Sequence, residues 1–374
     1  MSDVSDSFCD VAMMVGSKKK ITRRGYISQR PCLQATKWLP LWSVAGLALG
    51  LTSCAERMPQ NWMQPSGEGA RDIVNLMVPV LVVAGIIFIV VQTILLVAVF
   101  RFRDKGDPRT EGTAPKQIHG HTRLEIVWTI IPFLILIVVA VPNVRLIWKQ
   151  HSPPREADFL DVKVIAHQWW WEYEYVKEGI RTANEIHIPA GREVKLTLTS
   201  VDVVHSFWIP KLAGKQDVFP GQERTIVIKA DQPESEPLYG QCAEFCGMSH
   251  ANMRLRAVVQ NEPDFREWVE RQKQPARIPP EGTKAADGKR IFETGACIGC
   301  HTIAGTNAQG RVGPDLTHFA SRSTFAGSLF EVNDENLSAW LHNPPGVKPG
   351  AKMPKLGLSQ AEIESLVAYL RSLE

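Results

Sequence analysis

Two long uncharged runs dominate the pattern of apolar positions in the first half of the chain. Residues 73–100 contain no charged side chain, and residues 126–144 form a second such run. At about 1.5 Å per residue, the first run exceeds the ~30 Å of a bilayer core and the second is just long enough to cross it. Pro132 and Pro142 lie in the second run, and membrane helices tolerate such prolines. The pattern predicts a transmembrane helix hairpin over residues 73–148, with two buried core helices as the alternative.

Charges beside these runs orient the hairpin. Residues 101–123, between the runs, carry six basic and three acidic side chains, whereas residues 55–72 contain only Arg57 and Arg71 as basic residues. The positive-inside rule places the connecting loop in the cytoplasm and both outer flanks outside. The chain is therefore expected to cross a bacterial cell membrane more than once and to export everything after about residue 148.

The start of the chain fits this orientation. A basic stretch precedes an apolar one over residues 38–51, which ends in Leu51-Thr-Ser-Cys54. This order is similar to a bacterial lipoprotein signal peptide, which implies a leader over residues 1–53 and a lipidated Cys54. Residues 54–72 would then form an extracytoplasmic segment. A plain signal peptide or an uncleaved anchor is the alternative.

Charge and cysteine content narrow the functional class. The 42 Lys and Arg residues nearly balance the 39 Asp and Glu residues, for a formal charge of +3. This balance argues against a nucleic-acid binder that depends on bulk phosphate attraction. The seven cysteines are an odd number, so simple disulfide pairing cannot account for all of them. The close pairs Cys242/Cys246 and Cys297/Cys300 predict metal or cofactor chemistry instead.

The first exported domain, over residues 158–273, has the pattern of a β-protein. Polar and apolar residues alternate over residues 193–199 and more loosely over 224–229, with Pro and Gly turn signals between the runs. Short alternating strands at such spacing predict an antiparallel sandwich or barrel. A further strand is expected over Val201–Val204, and a helix with one apolar face is expected to close the domain over residues 262–273.

A soft set of metal donors lies late in this domain. The sequence Cys242-Ala-Glu-Phe-Cys246-Gly-Met-Ser-His250-Ala-Asn-Met253 brings thiol, imidazole and thioether groups together. Such donors suit copper, and the C-x3-C spacing differs from the C-x2-C pairs usual for structural zinc. A second imidazole is needed to complete a copper site. His205, in a predicted loop after the expected strand, is the best candidate, although a lone histidine there is more often merely hydrogen-bonded.

These features together resemble subunit II of haem–copper cytochrome c oxidase. The resemblance rests on the two membrane helices, on His167-Gln-Trp-Trp-Trp171, on Val204-His-Ser206 and on the C-x-E-x-C-x3-H-x2-M sequence. It implies a cupredoxin-like Greek-key β-barrel that holds a dinuclear CuA centre. The implied copper ligands are Cys242, Cys246, His205, His250, Met253 and the main-chain carbonyl of Glu244.

The same resemblance implies further roles. Trp169 corresponds to the surface tryptophan through which electrons enter from cytochrome c, while at least one of Trp170 and Trp171 is expected in the aromatic core. Asp217 and Glu244 resemble residues beside a Mg²⁺ site shared with subunit I, with a surface salt bridge as the alternative for Asp217. Glu125 matches a glutamate at the mouth of a proton pathway, although a carboxylate there could equally be a helix-end charge.

A Pro-rich linker over residues 274–283 leads to a last domain over residues 284–374. Cys297-Ile-Gly-Cys300-His301 is the C-x-x-C-H pattern of covalent haem c, with His301 as an iron ligand; a redox dithiol is the alternative. Met353 is the expected second iron ligand, and His318 and His342 compete for that role. A closing helix is expected over residues 359–373, with Ile363, Leu366, Val367 and Leu370 on one face.

The last domain resembles class I cytochrome c, on Gly313-Pro-Asp-Leu-Thr-His318 and Ala368-Tyr-Leu370. Its fusion to a subunit II resembles the caa3-type oxidase. The fold class expected is a multidomain membrane protein made of a two-helix transmembrane hairpin, a cupredoxin-like β-barrel and an all-α class I cytochrome c domain.

The function implied is electron input to a proton-pumping aerobic terminal oxidase. Electrons from cytochrome c or a cytochrome bc-type complex would pass through haem c to CuA and on to haem a of subunit I. Partners would be subunit I, which holds haem a, haem a3 and CuB, subunit III and the lipid bilayer. Oxygen reduction would occur in subunit I, so no catalytic residue is expected here.

The residues argue against three other functions. A quinol-oxidase subunit II shares the fold but lacks copper ligands, and nitrous-oxide reductase has a CuA domain without this paired-helix anchor. A membrane copper carrier would need neither haem nor a bridging cysteine pair. The main alternative is a membrane-anchored copper and haem electron carrier that serves another reductase, such as nitrous-oxide reductase.

Overall fold

The structure is a computed structural model that describes residues 58–103, 120–154 and 157–374. The expected leader over residues 1–53 and the lipidation site Cys54 lie outside the described residues, as does most of the basic loop. Four parts follow one another in the described chain: a helix pair, a β-domain, a connecting segment and a helical C-terminal domain.

The two uncharged runs form the long helices α1 (Glu68–Arg101) and α2 (Thr122–Gln150). Both are long and apolar enough to cross a membrane, and the most apolar stretch of each has no residue buried within the protein. Each helix is longer than its uncharged run because charged side chains pair at one end. Lys149 Nζ lies 2.8 Å from Glu68 Oε1 and 2.5 Å from Asp72 Oδ2. This clamp ties the helices together where they leave the apolar region.

Two five-stranded sheets form the β-domain. Their strand orders are β3-β2-β1-β5-β8 and β4-β10-β9-β6-β7, with β1/β5 and β4/β10 parallel and the other pairs antiparallel. The strands are β1 (Leu160–His167), β2 (Trp170–Tyr175), β3 (Ile180–Ala183), β4 (Glu185–Pro189), β5 (Val194–Ser200), β6 (His205–Trp208), β7 (Gln216–Val218), β8 (Arg224–Ile228), β9 (Leu238–Cys242) and β10 (Arg254–Gln260).

The core of this domain follows the alternation in the sequence. Strand β5 alternates buried and half-buried residues along its whole length, and buried side chains of both sheets form one apolar cluster. One expected strand was wrong: β5 ends at Ser200, and residues 201–204 form a turn. Asp202 causes the turn, because its Oδ1 accepts the Val203 N–H at 2.8 Å while Ser200 Oγ donates to Val203 O at 2.6 Å.

Helix α3 (Glu262–Gln272) closes the β-domain as the periodicity predicts. Asn261 caps its first turn, and Phe265, Trp268 and Val269 are buried. The Trp268 ring stacks on His187 at a centroid distance of 4.2 Å. The helix therefore covers one end of the sandwich with aromatic surface.

The C-terminal domain is helical, as expected. It contains α4 (Lys284–Thr294), α5 (Asp334–His342), α6 (Pro344–Val347) and α7 (Gln360–Arg371). A β-hairpin made of two short strands, β11 (Thr324–Phe325) and β12 (Phe330–Glu331), lies between α4 and α5. The predicted apolar face of α7 is buried, and Ser359 and Glu362 form a capping box at its start. Helices α4 and α7 cross at Gly288, where a Cβ atom would lie 1.9 Å from Ser365 O.

The first residues of the Pro-rich segment, which spans residues 274–283, pack against the C-terminal domain. Ala276 is buried in that domain's core, and its N–H donates to Ala304 O at 2.9 Å. The carbonyl of Gln274 pairs with His318 Nε2 at 2.9 Å. The segment thus begins as part of the packed domain, although its composition is that of a spacer.

Candidate redox centres

The predicted copper ligands converge at one end of the β-domain. Cys242 ends β9, and Cys246 lies in the loop that follows it, with the two Sγ atoms 3.8 Å apart. His205 Nδ1 lies 3.8 Å from Cys242 Sγ, and His250 Nδ1 lies 3.6 Å from Cys246 Sγ. The two thiols therefore occupy the centre, and each has one imidazole beside it.

The remaining two donors complete the set. Met253 Sδ lies 3.9 Å from Cys246 Sγ, and Glu244 O lies 3.2 Å from Cys242 Sγ. Local backbone structure explains the arrangement: β6 pairs with β9, which brings His205 to Cys242, and a 3-10 turn over His250–Asn252 returns the chain to the site. All six donors that the sequence singled out thus meet in one place.

Burial and hydrogen bonding shape the chemistry of this cluster. His205, Cys242, Cys246 and Met253 are all buried. The hydrogen bond between the two sulfur atoms lowers the pKa of the Cys242 thiol and raises the pKa of the Cys246 thiol. Burial is the largest single effect and would lower the pKa of His205, but the hydrogen bonds with Asp202 and Cys242 and the charges of these two groups together outweigh it and raise the pKa.

Asp202 is a functional residue that the sequence interpretation missed. Its Oδ1 lies 2.9 Å from His205 Nε2, which leaves Nδ1 directed at the thiols. A carboxylate on the distal nitrogen of a metal-binding histidine fixes the ring and its tautomer. The signal in the sequence was an aspartate three positions before the histidine.

The residues fit copper. Two thiols, two imidazoles, a thioether and a carbonyl form a soft donor set whose sulfur atoms are buried, and soft sulfur ligands with imidazole select copper. Among the residues that the structure describes, His205, Cys242 and Cys246 are the one group of three or more His, Cys, Asp or Glu side chains whose ligand atoms lie within 4.8 Å of one another.

A cavity of about 600 Å³, lined mainly by the C-terminal domain and in part by β-domain residues such as Trp169 and Asp202, carries the second group of predicted residues. Cys297, Cys300, His301 and Met353 all line it, among mainly apolar neighbours. Both cysteines are free thiols. His301 Nδ1 lies 2.8 Å from Pro314 O, so Nε2 is left for a metal, and burial lowers the pKa of the ring.

Hydrogen bonding narrows the choice of second iron ligand. His318 has both ring nitrogens within 2.9 Å of carbonyl oxygens, those of Glu374 and Gln274. His342 is exposed and does not line the cavity. Met353 does line it, and Trp340 Nε1 donates to its sulfur at 3.2 Å. The cavity, its two thiols and the His301/Met353 pair fit a covalently held haem c.

Trp169 lies between the two groups. Trp169 is 8% exposed, and its Nε1 donates to Cys246 O at 3.1 Å. The residue also lines the 600 Å³ cavity. Trp171 is buried in the β-domain core, edge-on to His205, whereas Trp170 is half-buried and stacks on His167. Trp169 is thus covered by the C-terminal domain and is no surface residue.

The other predicted residues lie apart from these groups. Glu125 is in the first turn of α2 and accepts the His121 N–H at 3.2 Å through Oε1, as a helix-end carboxylate does. Asp217 is half-buried on β7 opposite Ser206, whose carbonyl accepts the N–H of Ala243 beside the exposed Glu244. The carboxylates of Asp217 and Glu244 therefore lie on neighbouring segments of the backbone, at the edge of the copper-ligand region.

Comparison with known proteins agrees with this layout. The chain matches the family models "Cytochrome C oxidase subunit II, transmembrane domain" over residues 56–146, "Cytochrome C oxidase subunit II, periplasmic domain" over 177–261 and "Cytochrome c" over 285–374. It is also similar to the periplasmic domain of subunit II of cytochrome oxidase from Bradyrhizobium japonicum, with 28% identity, a TM-score of 0.31, and coverage of 33% of this chain and 97% of that one.

Relatives match over most of the length. Cytochrome c oxidase subunit 2 of Alkalihalophilus pseudofirmus is 37% identical over 91% of this chain and 97% of its own. Its counterpart in Bacillus subtilis is 33% identical over 90% of this chain and 98% of its own. A quinol oxidase subunit 2 of Bacillus cereus is 28% identical over 63% of this chain and 81% of its own. The chain therefore belongs to the cytochrome c oxidase subunit II family, in the form that carries a C-terminal cytochrome c domain.

Proposed function

We propose that this chain is the subunit through which electrons enter a proton-pumping aerobic terminal oxidase. In this proposal an external donor, either cytochrome c or a cytochrome bc-type complex, reduces the C-terminal domain. Electrons then pass to the copper domain and on to haem a of subunit I, which reduces oxygen to water. The observation that carries the proposal is the convergence of six copper donors next to a haem-sized cavity.

Two groups would supply the redox chemistry: CuA bound by the six donors of the β-domain, and haem c bound by Cys297, Cys300, His301 and Met353. Each takes up and releases one electron at a time without making or breaking a bond in a substrate. The protein holds the donors rigidly, because strand pairing fixes His205 beside Cys242 and burial excludes water from the thiols. A rigid site changes little on reduction, which favours fast transfer.

Trp169 is proposed as the residue between the two centres. Its indole N–H donates to the carbonyl of Cys246, and its ring lines the haem cavity. The side chain therefore joins a copper ligand to the haem pocket by direct contact. An electron route through it fits the role that the family resemblance gives to this tryptophan.

Subunit I and subunit III are the proposed partners in the membrane, held by α1 and α2 in the bilayer. Phe245, beside the Glu244 carbonyl ligand, is 76% exposed and offers an apolar contact for subunit I. Asp217 and Glu244 are proposed to border a Mg²⁺ ion shared with subunit I, and Glu125 to stand at the cytoplasmic mouth of a proton pathway. Lipidation of Cys54 after removal of the leader is proposed as an additional anchor.

The copper assignment is tested by His205→Ala in the assembled oxidase. Loss of the buried one of the two imidazoles should abolish the near-infrared absorption of CuA while the haem c bands stay. His342→Ala serves as a matched control, because His342 is exposed and lies at neither centre. A His205→Ala protein that kept the near-infrared band would refute the ligand set.

The alternative function is a membrane-anchored carrier that serves another reductase, such as nitrous-oxide reductase. It predicts that the chain purifies with haem c and copper but without a haem a subunit. The full-length similarity to cytochrome c oxidase subunits favours the oxidase.

A further inference from the structure

A buried carboxylate of the β-domain is hydrogen-bonded entirely by the cytochrome domain's hairpin. Glu185, the first residue of β4, is 2% exposed. Its Oε1 accepts bonds from Ser323 Oγ at 2.5 Å, Thr324 N at 2.7 Å and Thr324 Oγ1 at 2.8 Å. Its Oε2 accepts the Ser323 N–H at 3.1 Å. Four donors from one domain thus satisfy a carboxylate that belongs to the other.

A buried lysine makes the reciprocal contact. Lys348 of the cytochrome domain is 3% exposed, and its Nζ donates to Trp169 O at 2.6 Å and to Ala326 O at 2.7 Å. The first acceptor belongs to the β-domain and the second to its own domain. The Nζ atom therefore joins the backbone of Trp169 to the turn that follows β11.

The backbones approach closely around these two residues. Arg254 N donates to Gly327 O at 2.9 Å across the interface, and Ser249 Oγ donates to Pro349 O at 2.5 Å. A Cβ atom on Gly327 would lie 2.8 Å from Trp169 O, and one on Gly350 would lie 2.8 Å from the Trp169 ring. Such an interface leaves no room for a side chain at either glycine.

Buried polar groups of this kind define one arrangement of the two domains. A buried charge is costly unless hydrogen bonds compensate it, and a small shift in register would leave Glu185 and Lys348 buried without their partners. The ion pair between the exposed Lys352 and the half-buried Asp202, at 3.2 Å, also crosses the interface but is open to solvent on the lysine side, so it contributes less to such specificity. The two buried residues therefore favour a single docked position over a set of loose encounters.

We infer that Glu185 and Lys348 are positioning residues that fix the cytochrome domain on the copper domain, so that electrons cross in a preformed register and not after diffusion of a tethered domain. The inference rests on the proposed function. In the step concerned, one electron would leave the haem c held by Cys297, Cys300, His301 and Met353 and would be taken up by the copper held between Cys242 and Cys246, with no bond formed or broken. Lys348 lies five positions before Met353, so the segment that contacts Trp169 also leads to the iron ligand.

The first test measures hydrogen exchange in the purified, full oxidase complex. If the domains are fixed, the amides of Thr324 and Arg254 exchange as slowly as core strand amides of the β-domain. Lys348→Met and Glu185→Gln should speed exchange at these amides by at least about tenfold. Glu223→Gln and Lys284→Met are matched controls, because each removes one exposed ion-pair partner away from the interface. They should leave these amides unchanged.

The second test measures the rate of electron transfer from haem c to CuA after photoreduction of the haem by a ruthenium complex. In the unaltered protein a fixed register predicts a rate that changes by less than about twofold between ~0.01 M and ~1 M salt, over which the Debye length falls from ~30 Å to ~3 Å. In Lys348→Met and Glu185→Gln the rate should fall at least about tenfold and become dependent on salt and viscosity.

Failure of the fixed register can be distinguished from failure of the proposed function. An unaltered protein whose interface amides exchange rapidly, or whose transfer rate follows salt and viscosity, would overturn the fixed register even with both cofactors present. Variants with unchanged exchange and rate would overturn the role of the two residues. Absence of the CuA or haem c bands from the unaltered complex would instead refute the proposed function. If neither variant assembles, exchange in the unaltered protein alone decides the question.

Discussion

The crossing of α4 and α7 at Gly288 offers a test of how the haem cavity is built. A methyl group at residue 288 would lie 1.9 Å from Ser365 O, 2.5 Å from Ser365 C and 2.8 Å from Tyr369 Cβ. The first distance is roughly 1.5 Å short of van der Waals contact. The obstructing atoms are mainly backbone, so no side-chain rotation can relieve the clash, and the helices must move apart.

Gly288→Ala should therefore destabilise the cytochrome domain at the upper end of the usual cost of overpacking, about 3 kcal/mol. That cost corresponds to roughly 100-fold faster hydrogen exchange of the buried amides of α4 and α7, at ~1.4 kcal/mol for each factor of ten. Phe292 of α4 and Leu366 and Leu370 of α7 line the haem cavity. The same substitution should consequently reduce the amount of covalently attached haem.

The assay is hydrogen exchange of the full-length protein, read separately for the two helices and the β-domain. Gly85→Ala in α1 is the control, because a Cβ atom there meets nothing within 4 Å and the residue lies outside the cytochrome domain. Exchange in the β-domain should stay the same in both variants. Protection of α4 and α7 in Gly288→Ala equal to that in Gly85→Ala would refute the packing argument.

Two further substitutions test the metal sites. Asp202→Asn removes the charge that orients His205, and we expect copper affinity to fall by about 10- to 100-fold, measured by competition with a chelator; unchanged affinity would contradict the orienting role. Met353→Ala should leave haem attached to Cys297 and Cys300 but convert the iron to a five-coordinate, high-spin spectrum, whereas His318→Ala should keep the low-spin spectrum. A low-spin Met353→Ala protein would show that another residue binds the iron.

The sequence predicted those parts of the structure that depend on local pattern. The two uncharged runs became α1 and α2, the alternation over residues 193–199 became β5, and the predicted apolar faces of α3 and α7 are buried. The copper donors could be predicted because five of the six lie within a stretch of twelve residues. Their number and spacing define the chemistry before any folding is considered.

The parts of the structure that the sequence did not predict depend on contacts between residues far apart in the chain. Glu185 lies 138 and 139 positions from the residues that hydrogen-bond it, and Lys348 lies 179 positions from Trp169. Each looks in the sequence like an ordinary surface charge. Asp202 was missed for a related reason, because the expected strand over Val201–Val204 would have turned its side chain away from His205. The buried position of Trp169 also follows only from the docking of the second domain.

The central claim is that this chain carries both redox centres of an oxidase and delivers electrons to a haem a subunit. The most direct test is the absorption spectrum and metal content of the complex purified from membranes through a tag on this chain. We expect haem c, the near-infrared CuA band and haem a to co-purify in constant proportion. Intact chain that carries haem c without any haem a subunit would contradict the account.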